Sequence, residues 1–215
     1  MASYKHFLAT LSLIPVFIWF RFEEQFLTPL YYIKIPLDDY IPLLPIFVIP
    51  YLLWFAYVTW GILYTGLHSK MDFYKLIIFL GVGMSLAYTL YMIFPNAQNL
   101  RPEITRSDIF SRLLVLIYTF DTATNVCPSV HVINAYAVHA ALIHTRPFCT
   151  RRINRYGSFI LFILICASTV FTKQHSAFDV ICGLLFGTLL YIPLYKLFRF
   201  KLNEPLDRLD GGAHG

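Results

Sequence analysis

Residues 75–94 read KLIIFLGVGMSLAYTLYMIF, one lysine followed by nineteen positions without a charge. A membrane crossing takes roughly 20 mostly apolar residues, so this stretch predicts a membrane-spanning helix. Working outward from it, the same pattern returns at residues 7–22, 40–64, 128–144, 157–172 and 176–198. Pro42, Pro45 and Pro50 lie near the start of the second of these. A further apolar run, Ile109–Phe120, is too short to span and reads as an interfacial or re-entrant helix. No A-x-A-like cleavage site follows Phe22, so the first stretch reads as a true span and not a signal peptide. The expected fold is all-α: an integral membrane six-helix bundle occupying residues 1–200, with residues 201–215 as a polar, disordered cytoplasmic tail.

Composition agrees. Apolar residues make up 58% of the 215 and charged residues 13%, against about 25% charged in a soluble domain. The 20 Phe and 15 Tyr suit a lipid core and its interfaces. The cysteines at 127, 149, 166 and 182 show no paired spacing, which excludes a disulfide framework or zinc pattern. Cys166 and Cys182 lie in apolar stretches and read as small hydrophobes. A net charge of +5 gives no support to nucleic-acid binding and instead orients the bundle. With the N-terminus inside, eleven of the 17 Lys and Arg fall in inside loops and six outside. Arg146, Arg151, Arg152 and Arg155 form the densest group. The excess of positive charge on one side predicts both termini in the cytoplasm.

That orientation brings three polar segments to the extracytoplasmic face: Arg101-Pro102, Cys127-Pro128-Ser129-Val130-His131, and Lys173-Gln174-His175-Ser176-Ala177-Phe178-Asp179. An ionisable residue within a span is costly and points to function. His175 and Asp179 are four apart, which on a helix places them on one face. A carboxylate on one ring nitrogen fixes the tautomer and frees the other nitrogen to attack; a structural pair pinning helix ends is the equal alternative. Pro128 suits a first helical turn, with Thr124 or Asn125 as a cap. The amides of Ser129, Val130 and His131 would then form an anion site at a positive helix end. Ser129 adds a hydroxyl, and His131 is placed to protonate a leaving oxygen. Read alone, this second motif is more simply an ordinary helix start. His139 reads as a satisfied interior histidine and His144 as an interfacial one. Asp108 and Asp121 flank the short apolar run, as caps or at the substrate entrance.

Taken together, these residues resemble the type 2 phosphatidic acid phosphatase superfamily of membrane lipid phosphatases. Pro128-Ser129-Val130-His131 matches its P-S-G-H motif at three of four positions. Ser168-Thr169, His175 and Asp179 fit its S-R, five residues, H, three residues, D motif with one mismatch. Arg101-Pro102 matches the end of its first motif, where Phe94 replaces a lysine. The resemblance covers roughly residues 94–198. It implies that His175 is the nucleophile, Asp179 its orienting carboxylate and His131 the general acid. It implies that Arg101, Ser129 and backbone amides such as that of Val130 hold the phosphate. It requires no cofactor and no metal, since cations and amides stabilise the transition state. Thr169 stands where the family has arginine. Lys173, one helical turn later, offers a replacement cation. Val130, replacing glycine, keeps that turn in ordinary helical geometry. The expected activity is hydrolysis of a lipid phosphate or diphosphate at the membrane. A phospho-headgroup transferase of the sphingomyelin and inositol-phosphorylceramide synthase type is the second reading, since the run from His175 to Asp179-Val180 also resembles that branch. A transporter or scaffold with a decayed site is the third.

Overall fold

The computed structural model describes residues 4–197; the 201–215 tail and Phe198, expected to end the last span, lie outside the described residues. The described residues are mainly helical. A 3-10 stretch, Lys5–Ser12, runs into α1 (Leu13–Phe26), followed by α2 (Val48–His68), α3 (Lys70–Ile93), α4 (Ile109–Phe120), α5 (Val130–Leu142), α6 (Arg152–Phe171) and α7 (Ala177–Tyr191), which winds on through Ile192–Leu197. Two dipeptides, β1 (Tyr31–Tyr32) and β2 (Asn96–Ala97), pair in parallel, Tyr31 opposite Asn96. Five helices, Lys5–Phe26, Pro45–His68, Lys70–Ile93, Arg152–Phe171 and Ala177–Leu197, are long and apolar enough to cross a membrane.

Local chemistry sets the boundaries. The second apolar stretch was expected from residue 40, yet regular helix begins only at Val48. Residues before prolines are pushed out of the α region, and Leu44, before Pro45, is extended with φ −123° and ψ 92°. Pro50 falls in the first turn of α2, where a missing N–H costs nothing. A single residue, Ser69, separates α2 from α3, and its side chain caps α3 by accepting from the Asp72 amide at 3.2 Å. α4 forms over the expected residues, with the Asp108 carboxylate accepting from the amides of Phe110 and Ser111.

The fourth expected span departs most. Residues 128–144 yield a helix of only 13 residues, about 20 Å long at 1.5 Å per residue. Ser129 is the extended N-cap, with ψ 113°. At the other end, Arg146 before Pro147 excludes continued helix. Nine of the 13 residues of α5 are buried, because α2, α3, α6 and α7 surround it. Its alanines make it thin, and glycines on its neighbours let it sit close. A Cβ on Gly61 would meet Val138 at 2.6 Å, on Gly83 Ile133 at 2.7 Å, and on Gly187 Tyr136 at 2.8 Å. At Gly183 it would lie 2.9 Å from the Ser129 carbonyl oxygen, a backbone atom that cannot rotate away. Small residues allowing close helix approach are the usual solution where apolar burial alone does not drive association.

Gly183→Val therefore forces α7 away from α5. The expected loss is about 1–3 kcal/mol, read as a lower thermal midpoint of the purified protein. Gly157→Ala, with nothing within 4 Å of the added carbon, leaves the midpoint unchanged or raises it. Equal behaviour of the two variants would refute the tight α5–α7 contact.

The outward faces of the long helices are apolar: Phe17, Phe55, Ile160, Ile163, Leu185 and Leu189 are exposed. A water-soluble monomer seldom carries so continuous an apolar surface. Hydrocarbon accepts it, since the helices satisfy their own backbone groups.

Candidate functional site

The starts of α5 and α7 and the ends of α3 and α6 lie at one end of the bundle. The extended segment around β2 ties the two histidine motifs together there. Asn96 sends its side-chain amide to the carbonyls of Phe94 and Cys127, at 2.9 and 3.0 Å. Its side-chain oxygen accepts from the Val126 and Cys127 amides, both at 2.9 Å. Two residues on, and therefore on the same side of an extended chain, the Gln98 side-chain amide donates to the Lys173 carbonyl at 2.9 Å. One short segment thus clamps the loop before His131 and the loop before His175. The Ser129 amide closes the join by donating to the Asp179 carbonyl at 3.1 Å.

The loop carrying His175 has a specific shape. α6 ends at Phe171, and the amides of Gln174 and His175 both turn back to the Thr169 carbonyl at 2.9 Å. Lys173 takes φ 55°, a left-handed conformation uncommon outside glycine. It is held there by Gln98, by Tyr118 Oη donating to the Thr172 carbonyl at 2.6 Å, and by its own ammonium, which donates to the Asp38 carbonyl at 2.9 Å. The expectation that Lys173 rises one helical turn above Thr169 does not hold, because the helix has already ended. Thr169 is fully buried, and its hydroxyl donates back to the Cys166 carbonyl.

Within this frame the histidines meet. His175 Nε2 lies 3.3 Å from His131 Nδ1, with ring centroids 5.5 Å apart and planes at 68°. The other ring nitrogen, His175 Nδ1, lies 3.4 Å from Asp179 Oδ2, long for a hydrogen bond but close enough for strong electrostatic bias. The pair does not share a helical face as expected. His175 precedes α7, and Asp179 closes a capping box by accepting from the Ser176 amide at 2.9 Å. His131 packs on Trp54 and Tyr51, with centroids at 4.5 and 4.9 Å, and its carbonyl accepts from Trp54 Nε1. Ser129 Oγ, Asp179 Oδ1 and His175 Nδ1 are buried polar atoms without a hydrogen-bond partner. Such atoms are rare in folded chains and mark sites of function or strain.

The remaining expected residues are near but differently engaged. Val130 opens α5 as the first helical residue, with ordinary backbone geometry. The Ser129 amide, expected free, is taken by Asp179, leaving the first-turn amides of Val130 and His131, which have no intrahelical partner. Neither Thr124 nor Asn125 caps α5; Ser129 is the N-cap, without a side-chain cap bond. Arg101 reaches the Gln174 side chain, next to His175. Its two terminal nitrogens also donate to the carbonyls of Asp121 at 2.8 Å and Thr122 at 3.0 Å, the guanidinium stacks over Tyr118, and Nε is buried without a partner. It thus holds the negative end of α4. Burial lowers its pKa from the ordinary value, with Asp121 opposing.

Sequence reading missed Asp38, Asn96 and Gln98 and gave no role beyond capping or the entrance to Asp121, whose carboxylate accepts from the Tyr51 hydroxyl beside His131. Their signal was weak: polar residues in polar loops, distinguished only by burial. His139 is satisfied by Ser158 at 2.8 Å, well away from this end, as expected.

Comparison of the chain with protein-family models, with curated proteins and with solved structures gave no match.

Proposed function

We propose that the protein is an integral membrane lipid phosphatase that works through a phosphohistidine at His175. The observation that carries this reading is the meeting of His131, His175 and Asp179, 44 residues apart at the two rings, at one end of an apolar bundle. With a proton on His175 Nδ1 facing Asp179, the Nε2 lone pair is free. It attacks phosphorus, forming an N–P bond while the P–O bond to the lipid breaks. The leaving oxygen takes the proton from His131. Water then attacks phosphorus, gives its proton to His131, and the N–P bond breaks to release phosphate. A nucleophile needs its phosphorus about 3–3.5 Å away, and an acid must sit about 2.6–3.2 Å from the leaving oxygen. The two rings hydrogen-bond to each other, so a phosphoryl group enters by displacing that bond. Ser129 Oγ, buried without a partner, and the first-turn amides of Val130 and His131 would donate to its oxygens.

In this reading the five long helices and α5 give six crossings, with the site extracytoplasmic and both termini in the cytoplasm. A cysteine at Ser107 should react with an impermeant thiol reagent on intact cells. One at Thr150, with Cys149 removed, should react only after lysis. The reverse pattern would overturn the orientation.

One observation favours transfer of a phospho-headgroup over hydrolysis. Arg101 and Lys173 both donate to backbone carbonyls, and Thr169 is turned away. Few cations then remain free, which suits a singly charged diester better than a dianionic monoester. The deciding experiment uses purified protein in mixed micelles with phosphatidate, phosphatidylglycerol phosphate and an isoprenoid diphosphate, against a phosphodiester lipid plus an alcohol acceptor. Phosphate release from a monoester or diphosphate supports the phosphatase. Headgroup transfer alone makes it a transferase, and inactivity on every pair would refute both.

A further inference from the structure

Asp38 lies in the loop between α1 and α2, 138 positions before Ser176, yet only 2% of it is exposed. Three donors converge on its carboxylate. Oδ2 accepts from the Ile35 amide at 2.9 Å and from the Ser176 hydroxyl at 2.6 Å; Oδ1 accepts from the Ala177 amide at 2.8 Å. The Asp38 carbonyl receives the Lys173 ammonium at 2.9 Å. These contacts fall on both sides of His175: Lys173 two residues before it, Ser176 and Ala177 immediately after. The neighbouring Asp39 is different, an exposed partner of Lys34 at 2.6 Å.

We propose that Asp38 is a positioning residue for the reaction above, holding His175 at attacking distance by gripping the chain on both sides of it. The inference rests on His175 being the nucleophile.

The physical argument has three steps. His175 sits between a left-handed residue and a helix N-cap, where chain direction depends on a few backbone angles. The site needs that direction fixed, because misplacing a reacting group by about 1 Å can cost 10²-fold in rate. Asp38 fixes it from outside the motif. Its carboxylate occupies the positive end of α7 and orients the Ser176 hydroxyl, which in turn accepts from the Phe178 amide at 3.1 Å. Three donors and no competing acceptor also define one side-chain orientation, and the Pro36–Asp39 turn is stiffened by its proline. Lys173 uses its charge on the Asp38 carbonyl, which explains how a cation expected at the phosphate instead locks the loop.

The test measures phosphohistidine formation in a single turnover, using the radiolabelled lipid phosphate that the wild-type protein turns over fastest. Asp38→Asn keeps the shape but presents an N–H where an acceptor is needed. It should slow labelling by roughly one to two powers of ten, with KM changed less than about threefold. Asp39→Asn should match wild type. Ser176→Ala removes one of the Asp38 bonds and should slow labelling roughly three- to tenfold. The double variant should be no slower than Asp38→Asn, because residues acting through one bond are not additive. If Asp38→Asn does not fold, Ser176→Ala decides alone. A folded Asp38→Asn, or a Ser176→Ala, that labels at the wild-type rate overturns the inference, as does a rise in KM with no slower labelling. Absence of label on the wild-type protein instead overturns the nucleophile assignment, and this inference with it.

Discussion

In the proposed reaction His175→Ala should lower turnover about ten-thousandfold or more, the scale on which loss of one member of a nucleophile–base unit acts. Neither of the two neighbouring candidates among the described residues takes its place. His131 lies on the far side of the contact, packed on Trp54 and Tyr51. The Cys127 thiol sits near Asp179, but burial first and the Asp179 charge second push its pKa well above the ordinary thiol value, so it is not the thiolate a nucleophile requires. The substitution also leaves an imidazole-sized gap beside Asp179. Free imidazole should therefore restore part of the activity, and the acid-labile label on the protein should vanish whether or not imidazole is added. Phosphate release and label are measured on the same preparation. A His175→Ala protein that keeps its label, or more than about one hundredth of its activity, would remove the histidine nucleophile from the reaction.

Much of this arrangement was legible in the chain, and the parts that were not share a physical cause. Apolar length predicts helices because a long uncharged run has one stable solution in lipid, and four of the five long helices begin and end within five residues of expectation, α3 and α6 starting five residues early. α2 begins late because proline acts on its preceding residue, a local rule that apolar length ignores. α5 hides a different property. Its sequence reads as a span, but its alanines and the glycines at 61, 83, 183 and 187 are needed together to see that it is a thin helix at the centre. No single segment carries that information. At the site, His131, His175 and Asp179 were singled out by residue type and are brought together. Asp38, Asn96 and Gln98 were not, because their role comes from burial among backbone groups distant in sequence. Arg101 and Lys173 were assigned by charge alone. Charge does not say whether a cation meets a ligand or a carbonyl, and both donate to carbonyls.

His131→Asn should separate the two halves of the reaction. Asparagine keeps a polar group near the Trp54 and Tyr51 rings but cannot carry a proton to or from the reacting oxygens. General acid and base catalysis is worth about 10²–10⁴. With a lipid phosphate, whose alkoxide leaves poorly without a proton, the variant should lose that full range in the first step. With p-nitrophenyl phosphate, whose phenolate leaves readily, the first step should slow by less than about tenfold. The second step still needs a base for water, and His131 is the side chain placed to provide it. The variant should therefore release one equivalent of nitrophenol per protein in a fast burst and then nearly stop, with phosphate held on His175. Stopped-flow absorbance follows the burst, and the acid-labile label follows the trapped intermediate. Wild type should show no large burst, its label forming and decaying within each single turnover. An equal loss on both substrates with no burst would show that His131 only supports the fold beside His175. The 3.3 Å contact between the rings would then be a structural hydrogen bond, and the acid would have to be sought elsewhere at this end of the bundle, starting with Tyr51, packed on His131, and its hydrogen-bond partner Asp121.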